Sequence, residues 1–336
     1  MKITMKVRLK ENFLNILGIG FSIAFIVLTY YSINLKDFYQ ALKLPYPWQL
    51  LWVPFFDLLV LLTKAIRWKL ILQPFLPVKT KDLFELISIG SMGNNILPLK
   101  AGEILRGAFL AKQSQKPFSQ VLGSIGFEHF FDGIGLLIIL IVLSFKLPIP
   151  KGLSYSAYVL AIILLGTVIL LMVLRKLRID LKQWEKSHPF FRWPIEFLYH
   201  LNNLGKLIQS PKRFCYIIFN TLVVWSIVAY SLIFVHHAFG LSLGIETLFF
   251  ILVAFNLATA IPSAPGSIGT FEFACVLAYH YLGISREVGL SLGLYFHMMQ
   301  FIPITMLGLI FYFKWSRRFK ISMGSLEKIR KEIKQL

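Results

Sequence analysis

Repeated apolar runs of about twenty residues constrain this chain more than any other feature of its sequence. A run of roughly 20 apolar residues is long enough for a helix to cross the hydrocarbon core of a membrane. A helix also satisfies its backbone polar groups internally, as lipid requires. Only 15% of the 336 residues are charged, whereas soluble domains carry about a quarter. Six spans are predicted, at 13–32, 48–66, 118–143, 155–174, 214–235 and 288–313.

The net charge is +19, and the positions of the basic residues indicate how the chain is oriented in the membrane. Of the 35 Lys and Arg residues, 25 fall in segments assigned to the cytoplasm and four in the three outer loops. The positive-inside rule then predicts a multi-pass protein of the cell (cytoplasmic, or inner) membrane with cytoplasmic N- and C-termini. Basic segments between apolar runs also suit anionic lipid headgroups. Nucleic acid is therefore not an expected partner.

Two stretches interrupt the apolar pattern with proline, glycine and charge. They run from Gly93 to Arg106 and from Asn256 to Glu272, and each reads Asn, Pro, Gly four residues after that Pro, then Glu. Proline and glycine break helices, and an apolar arm of about 14 residues is too short to span a membrane comfortably. The sequence therefore predicts two re-entrant helical hairpins, at 84–112 and 247–283.

The predicted elements repeat once along the chain. Each half contains three spans and one hairpin, and an odd number of crossings inverts the second half relative to the first. We predict an all-α polytopic membrane protein with about six spanning helices and two re-entrant hairpins arranged as an inverted repeat, as is typical of secondary transporters. The first repeat is 1–143 and the second is 144–313, with a cytoplasmic basic loop at 175–213. Residues 314–336 form a basic cytoplasmic tail.

Polar residues at and near the breaks define a predicted substrate-binding site. Irregular backbone at membrane depth is tolerated only around a polar cavity, and ionisable residues there are usually functional. Lys100, Arg106 and the helix N-termini after the breaks would attract a phosphate group, while carboxylates would balance charge or exchange protons. Arg106 and Glu272 are expected to approach one cavity. The predicted site is Asn95, Lys100, Glu103, Arg106, Glu128, Asp132, Gly266, Gly269 and Glu272.

Structural explanations compete with this functional one. The two prolines could merely kink ordinary spans, and Glu103 could form a self-neutralising pair with Arg106 three residues later. Three further polar residues within spans are weaker site candidates, which interhelical contacts would also explain: Asp57, His297 and Gln300. The segment that holds Lys64, Arg67, Trp68 and Lys69 is interpreted as a basic and aromatic anchor at the membrane interface.

Three common catalytic or phosphate-binding motifs are missing from the sequence. It contains no HExxH zinc-protease motif, no GxSxG nucleophile elbow and no GxxxxGK[ST] phosphate loop. The run Glu128-His129-x-x-Asp132 could contribute to a metal site, but it lacks a second ligand cluster. We therefore predict no catalytic residue, no metal and no cofactor.

Four motifs of the sequence are informative in combination: Arg67-Trp68, Asn95-x-x-Pro98-x-x-x-Gly102-Glu103-x-x-Arg106, Glu128-x-x-x-Asp132 and Pro262-Ser-Ala-Pro265-Gly266-x-x-Gly269-x-x-Glu272. Taken together, they resemble one family. The similarity is to the flippase-like transmembrane region of lysylphosphatidylglycerol synthases, shared with stand-alone membrane proteins of the UPF0104 group, and it covers residues 13–313. In two-domain members that region is associated with moving aminoacylated phosphatidylglycerol between leaflets.

The resemblance implies the same fold and lipid translocation. The sequence continues only about 20 residues past the last predicted span, so we expect no soluble aminoacyl-transferase domain and no lysyl-lipid synthesis. We expect a lipid flippase or transporter for a phosphate-containing lipid, including aminoacylated or polyprenyl-linked ones. The alternative is a membrane-embedded enzyme or accessory subunit acting on lipid headgroups or glycolipid precursors. Expected partners are the lipid, the membrane, and a second copy or a neighbouring lipid- or glycan-synthesis enzyme.

Overall fold

A computed structural model of the chain describes residues 18–176, 210–260 and 263–319. Within these ranges the regular structure is entirely helical, and short 3₁₀ turns occupy Pro47–Leu51, Pro98–Lys100 and Pro265–Ser267. The predicted basic loop and basic tail lie mostly outside the described residues. The α-helices are α1 Gly18–Tyr31, α2 Leu35–Ala41, α3 Trp52–Leu72, α4 Thr80–Ile96, α5 Ala101–Ser114, α6 Phe118–Ser144, α7 Lys151–Lys176, α8 Pro211–Ala238, α9 Ile245–Ala258, α10 Thr270–Tyr281 and α11 Arg286–Phe319.

The predicted class, an all-α membrane protein with about six spanning helices, is confirmed. Five described segments are long and apolar enough to cross a membrane, and α1 with α2 forms a sixth if the two helices are counted together across their 95° bend. The five are Pro47–Leu72, Phe118–Ser144, Lys151–Leu170, Pro211–Ala238 and Arg286–Phe319. The re-entrant placement of the hairpins, the inverted relation of the two halves and their boundary at 143 stay predictions.

Helices α4 and α5 form an antiparallel hairpin around the first break. At its open end, the Gln113 side chain donates a hydrogen bond of 3.1 Å to Asp82. Near the turn, Gly93 of α4 packs directly against Gly102 of α5. Small residues let two helix backbones approach closely, which is how membrane helices gain packing energy. The glycines in this stretch therefore set the spacing of the hairpin as well as interrupting the apolar pattern.

A second hairpin, formed by α9 and α10, surrounds the other break. The rings of Phe250 and Tyr281 stack with centroids 5.5 Å apart near its open end, and Phe255 and Phe271 lie 5.0 Å apart nearer the turn. Ile261 and Pro262, which precede the turn, lie outside the described residues. The two arms of this hairpin are thus held together by aromatic contacts, whereas those of the first hairpin are held together by glycine contacts.

Helix α11 connects the two hairpins, because it packs against both α4 and α10 as well as α3. On the α4 side, the buried Glu85 carboxylate accepts hydrogen bonds from Lys314 Nζ at 2.6 Å and from Trp315 Nε1 at 2.7 Å. Helix α7, in contrast, is mostly exposed. Only 6% of its most apolar window is buried, so most of its apolar surface packs against no other helix.

Candidate functional site

Buried ion pairs bring α3, α5 and α6 together. Glu128 and Asp132 lie one turn apart near the middle of the 27-residue helix α6. Arg67 of α3 approaches both: its Nη1 is 2.6 Å from Asp132 Oδ1, and its Nη2 is 3.8 Å from Glu128 Oε1. Arg67 Nη1 also donates to Thr221 Oγ1 of α8 at 3.1 Å. The two carboxylates predicted to share a helix face therefore share a cation.

A second arginine closes the network from α5. Arg106 Nη2 is 2.5 Å from Glu103 Oε2, so the predicted pair three residues apart is confirmed. Arg106 Nη1 is 2.9 Å from Glu128 Oε2, and the guanidinium carbon lies 4.6 Å from the centre of the Trp68 ring. Such stacking adds a cation–π attraction. We call Arg67, Glu103, Arg106, Glu128 and Asp132 the ion cluster.

The interpretation of Arg67 and Trp68 as an interfacial anchor is wrong. Arg67 is 1% exposed and Trp68 is fully buried, and the Trp68 indole donates to Ser124 Oγ at 2.9 Å. The α6 carboxylates explain why, since buried charges require partners of opposite sign. Two carboxylates one turn apart within a span already demanded nearby cations. That signal pointed to buried cations but could not single out Arg67 among the basic residues of the chain.

The ion cluster surrounds only a small cavity, of about 40 Å³. A water molecule needs roughly 10–15 Å³, so this space holds a few waters and no lipid headgroup. Counting Lys64 at its edge and leaving His129 aside, the cluster contains three cations and three anions. It is therefore charge-balanced. The cavity is lined by Lys64, Arg67, Ile87, Ser91, Glu103, Arg106, Glu128, His129 and Asp132.

A larger cavity, of about 260 Å³, lies where the turns of the two hairpins meet, and we call it the turn cavity. The Pro98–Lys100 and Pro265–Ser267 turns contact each other. Lys100 lines the cavity, is exposed, and takes part in none of the ion pairs of the described residues. The full lining is Asn94, Leu97, Leu99, Lys100, Thr259, Ala260, Ser263, Ala264, Pro265, Gly266 and Ser267.

The turn cavity is bounded by unusual backbone. Leu99, Lys100 and Ser267 adopt positive φ angles of 57°, 52° and 59°. Side chains other than glycine rarely adopt this region, and strained residues cluster at functional sites. Gly266, at φ 67°, must be glycine for a second reason, because a side chain there would press on Phe301 and approach the Asn95 carbonyl.

Asn94 connects the two cavities. It lines the turn cavity, and its side-chain amide donates to Glu103 Oε1 of the ion cluster at 2.9 Å. A change at the turn would therefore reach Glu103 through a single side chain.

Three of the predicted site residues make internal contacts instead. Asn95 donates to Thr305 Oγ1 of α11 at 2.8 Å. The Gly269 N–H donates to Glu272 Oε2 at 2.7 Å, so the N-terminus of α10 is capped by its own carboxylate. Glu272 Oε1 lies 2.6 Å from His297 Nδ1, and Glu272 lines neither polar cavity. The expected meeting of Arg106 and Glu272 in one cavity is therefore not observed. The turns meet instead.

Comparisons with known proteins agree with this architecture. The model of a family described as the lysylphosphatidylglycerol synthase transmembrane region matches residues 15–308. A UPF0104 membrane protein of Methanocaldococcus jannaschii is 27% identical over 229 residues, which cover 66% of this chain and 92% of the relative. A UPF0104 membrane protein of Methanothermobacter thermautotrophicus is 23% identical over 270 residues, covering 75% of this chain and 79% of that relative. No solved structure matches the chain.

Proposed function

Because the chain belongs to the family of the lysylphosphatidylglycerol synthase transmembrane region, we propose that it moves a phosphate-containing lipid between the leaflets of a membrane. One observation carries the proposal: the turns of two helical hairpins meet around a cavity that is lined by Asn94, Lys100 and three residues with hydroxyl groups. Exposed irregular backbone is not tolerated in hydrocarbon, so such turns imply enclosed polar space. A lipid headgroup is the polar cargo that a membrane supplies.

The size of the turn cavity fits a headgroup and not a whole lipid. Pockets for drug-sized ligands measure about 300–1,000 Å³, and this one is slightly smaller, at about 260 Å³. The headgroup would enter while the acyl chains stay in the surrounding lipid. Lys100 would supply the positive charge for the phosphate, because its ammonium has no ion pair in the described part of the chain. Ser263 and Ser267 line the same space.

The ion cluster has a different task in this proposal. Arg106 is fully engaged by Glu103 and Glu128, so it is not the first contact for an incoming phosphate. Glu103, however, holds both Arg106 and Asn94 of the turn cavity. A headgroup at the turn would compete for Asn94 and so loosen the pairing of Glu103. The charges of the cluster can thus exchange partners as the headgroup passes. Because the cluster has no net charge, it would not hold the headgroup in place.

Lys100→Gln should slow lipid movement about tenfold. Hydrogen bonds to charged groups contribute about 1.5–3 kcal/mol, and about 1.4 kcal/mol corresponds to a factor of ten. The measurement is the rate at which fluorescent phosphatidylglycerol and its lysyl ester become accessible to an external quencher in liposomes containing only this protein. Lys36→Gln, on the exposed face of α2, makes the same charge change away from both cavities and should keep the wild-type rate.

Two results would contradict the proposed function. One is a wild-type rate equal to that of empty liposomes for anionic, aminoacylated and polyprenyl-phosphate lipids alike. The other is equal slowing by Lys36→Gln and Lys100→Gln, which would make the effect one of general surface charge. Conversion of the headgroup by the purified protein would instead support the membrane-embedded enzyme.

A further inference from the structure

Asp57 is a buried carboxylate without a counter-ion. It lies in the middle of the Pro47–Leu72 segment and is 4% exposed. Its Oδ1 accepts a hydrogen bond of 3.1 Å from the Gln300 side chain of α11. Its Oδ2 has no hydrogen-bond partner among the described residues. The other buried carboxylates described above all face an arginine, a lysine or a histidine, and Asp57 faces a neutral amide.

The charged groups of the helices packed around α3 are paired with other residues, and Lys64 of α3 itself acts on Asp57 only through space. Helices α4, α6, α8 and α11 pack against α3, and the ion pairs of α4, α6 and α11 join other residues. Helix α8 presents the uncharged Tyr230 ring next to Phe56. Lys64 lies on α3 itself, seven residues away, which is about 10 Å along the helix axis, and it lines the cavity of the ion cluster. The engaged pairs are Glu85 with Lys314, Arg67 with Glu128 and Asp132, and Glu272 with His297.

An unpaired ionised carboxylate at this depth is costly. Transfer of an isolated charge into an apolar environment is strongly unfavourable, and real groups respond by neutralising. Intramembrane carboxylates of this kind mark proton pathways in pumps and transporters. A protonated Asp57 would keep the Gln300 hydrogen bond through its carbonyl oxygen, and its hydroxyl would become a donor. The pocket therefore accommodates both forms of Asp57, and the neutral form costs less free energy than the charged one.

Helix α11 connects Asp57 to both hairpins within about two turns. His297 binds Glu272 of the second hairpin, Gln300 binds Asp57, and Thr305 accepts from Asn95 of the first hairpin. Pro303 lies inside this stretch of α11. Proline lacks the N–H that would complete the helix ladder, so the helix bends more easily there. A change in the Asp57–Gln300 contact therefore acts on the part of α11 that touches both hairpins.

We propose that Asp57 binds and releases a proton, and that α11 transmits the change in charge to the turns of both hairpins. In lipid transport this would couple headgroup movement to a proton gradient. The coupling rests on the proposed function, whereas proton binding at Asp57 does not. The site takes a proton and no larger cation, because one carboxylate and one amide offer too few oxygen ligands for a metal ion.

Infrared difference spectroscopy on the purified protein in lipid nanodiscs tests the proton site directly. Stepping the pH should produce the C=O stretching band of a buried protonated carboxylic acid, and Asp57→Asn should abolish that band. Asp37→Asn, at an exposed position on α2, should leave the band intact. A band that is unchanged across the pH range, or that survives Asp57→Asn, would overturn the proposal. So would the same spectral change produced by Na⁺ at constant pH.

Hydrogen exchange tests the connection through α11. The protection factor of backbone amides in the segment 97–101 of the first turn, which is the intrinsic exchange rate divided by the observed rate at each pH, should depend on pH in the wild type, and this pH dependence should be lost in Asp57→Asn. It should also be lost in Gln300→Leu, which keeps Asp57 but removes its contact with α11, while the infrared band persists. Retained pH dependence in both variants would overturn the coupling. Thermal unfolding of each variant establishes that it is folded before either measurement.

Failure of this inference and failure of lipid transport give different results. If liposomes show no lipid movement but the Asp57 band is present, the proton site stands and the proposed function fails. If lipid moves at a rate that Asp57→Asn and a pH gradient leave unchanged, the proposed function stands and proton coupling is overturned.

Discussion

Replacing Arg67 with methionine is expected to lower the free energy of unfolding by about 3–5 kcal/mol, the range for removing one partner of a buried ion pair. Arg67 is 1% exposed and is the cation nearest to Asp132, at 2.6 Å. Without it, the Asp132 carboxylate has no ion pair among the described residues. Glu128 is affected less, because it keeps Arg106 at 2.9 Å. The measurement is thermal or denaturant unfolding of the purified protein in detergent.

Matched variants separate charge from packing. Lys69→Met removes a positive charge from an exposed position two residues away and should change stability little, as exposed ion pairs contribute about 0–1 kcal/mol. Arg67→Lys should give an intermediate loss, since one ammonium cannot reproduce the fork that reaches both α6 carboxylates. A loss in Lys69→Met as large as that in Arg67→Met would refute the buried role of Arg67.

The double variant Arg67→Met/Asp132→Leu should be more stable than Arg67→Met alone. It removes the carboxylate that the single variant leaves unpaired, and replacing both partners of a buried pair with apolar residues is often neutral or stabilising. The coupling energy from this double-mutant cycle measures the pair itself. Strict additivity of the two substitutions would show that Arg67 and Asp132 do not interact.

Gly102→Ala is expected to open the first hairpin and to cost about 3 kcal/mol or more, the upper end for overpacking. A methyl group at Gly102 would overlap the Gly90 carbonyl and crowd the Asn94 backbone of α4. These neighbours are backbone atoms, which cannot rotate aside, so α4 and α5 would have to separate. The turn cavity and the ion cluster would both be displaced, and lipid movement should be lost with stability.

Gly166→Ala provides the matched control. Gly166 lies within α7, and a methyl group there meets no atom within 4 Å. Alanine is the better helix former by roughly 0.5–1 kcal/mol, so the same chemical change should leave this helix unharmed or stabilise it. Unfolding measurements report the change in stability of each variant, and hydrogen exchange across 80–114 reports whether the first hairpin has opened. Equal behaviour of the two variants would mean that the glycine contact between α4 and α5 is not required.

Much of the fold could be predicted from the sequence, since its signals are local. A helix crosses a membrane when about twenty apolar residues follow one another. This condition gave the predicted spans 48–66, 118–143 and 214–235, which lie within the observed segments Pro47–Leu72, Phe118–Ser144 and Pro211–Ala238. Proline and glycine act on their own neighbours, so the break at Pro98 was also visible. Pro262, the proline of the second predicted break, lies outside the described residues. The Glu103–Arg106 pair is set by helix periodicity alone.

Partners on different helices were decided by the tertiary structure. Apolar residues surround a spanning helix on every side, so its hydropathy does not specify which face meets another helix. The sequence therefore placed Arg67 at the membrane surface, while packing turned it toward the carboxylates of α6. For the same reason Glu272 binds His297 and Asp57 binds Gln300. The sequence by itself determined the spans and the breaks. The rotation and packing of the helices decided which charges are paired, and left Asp57 without a cation.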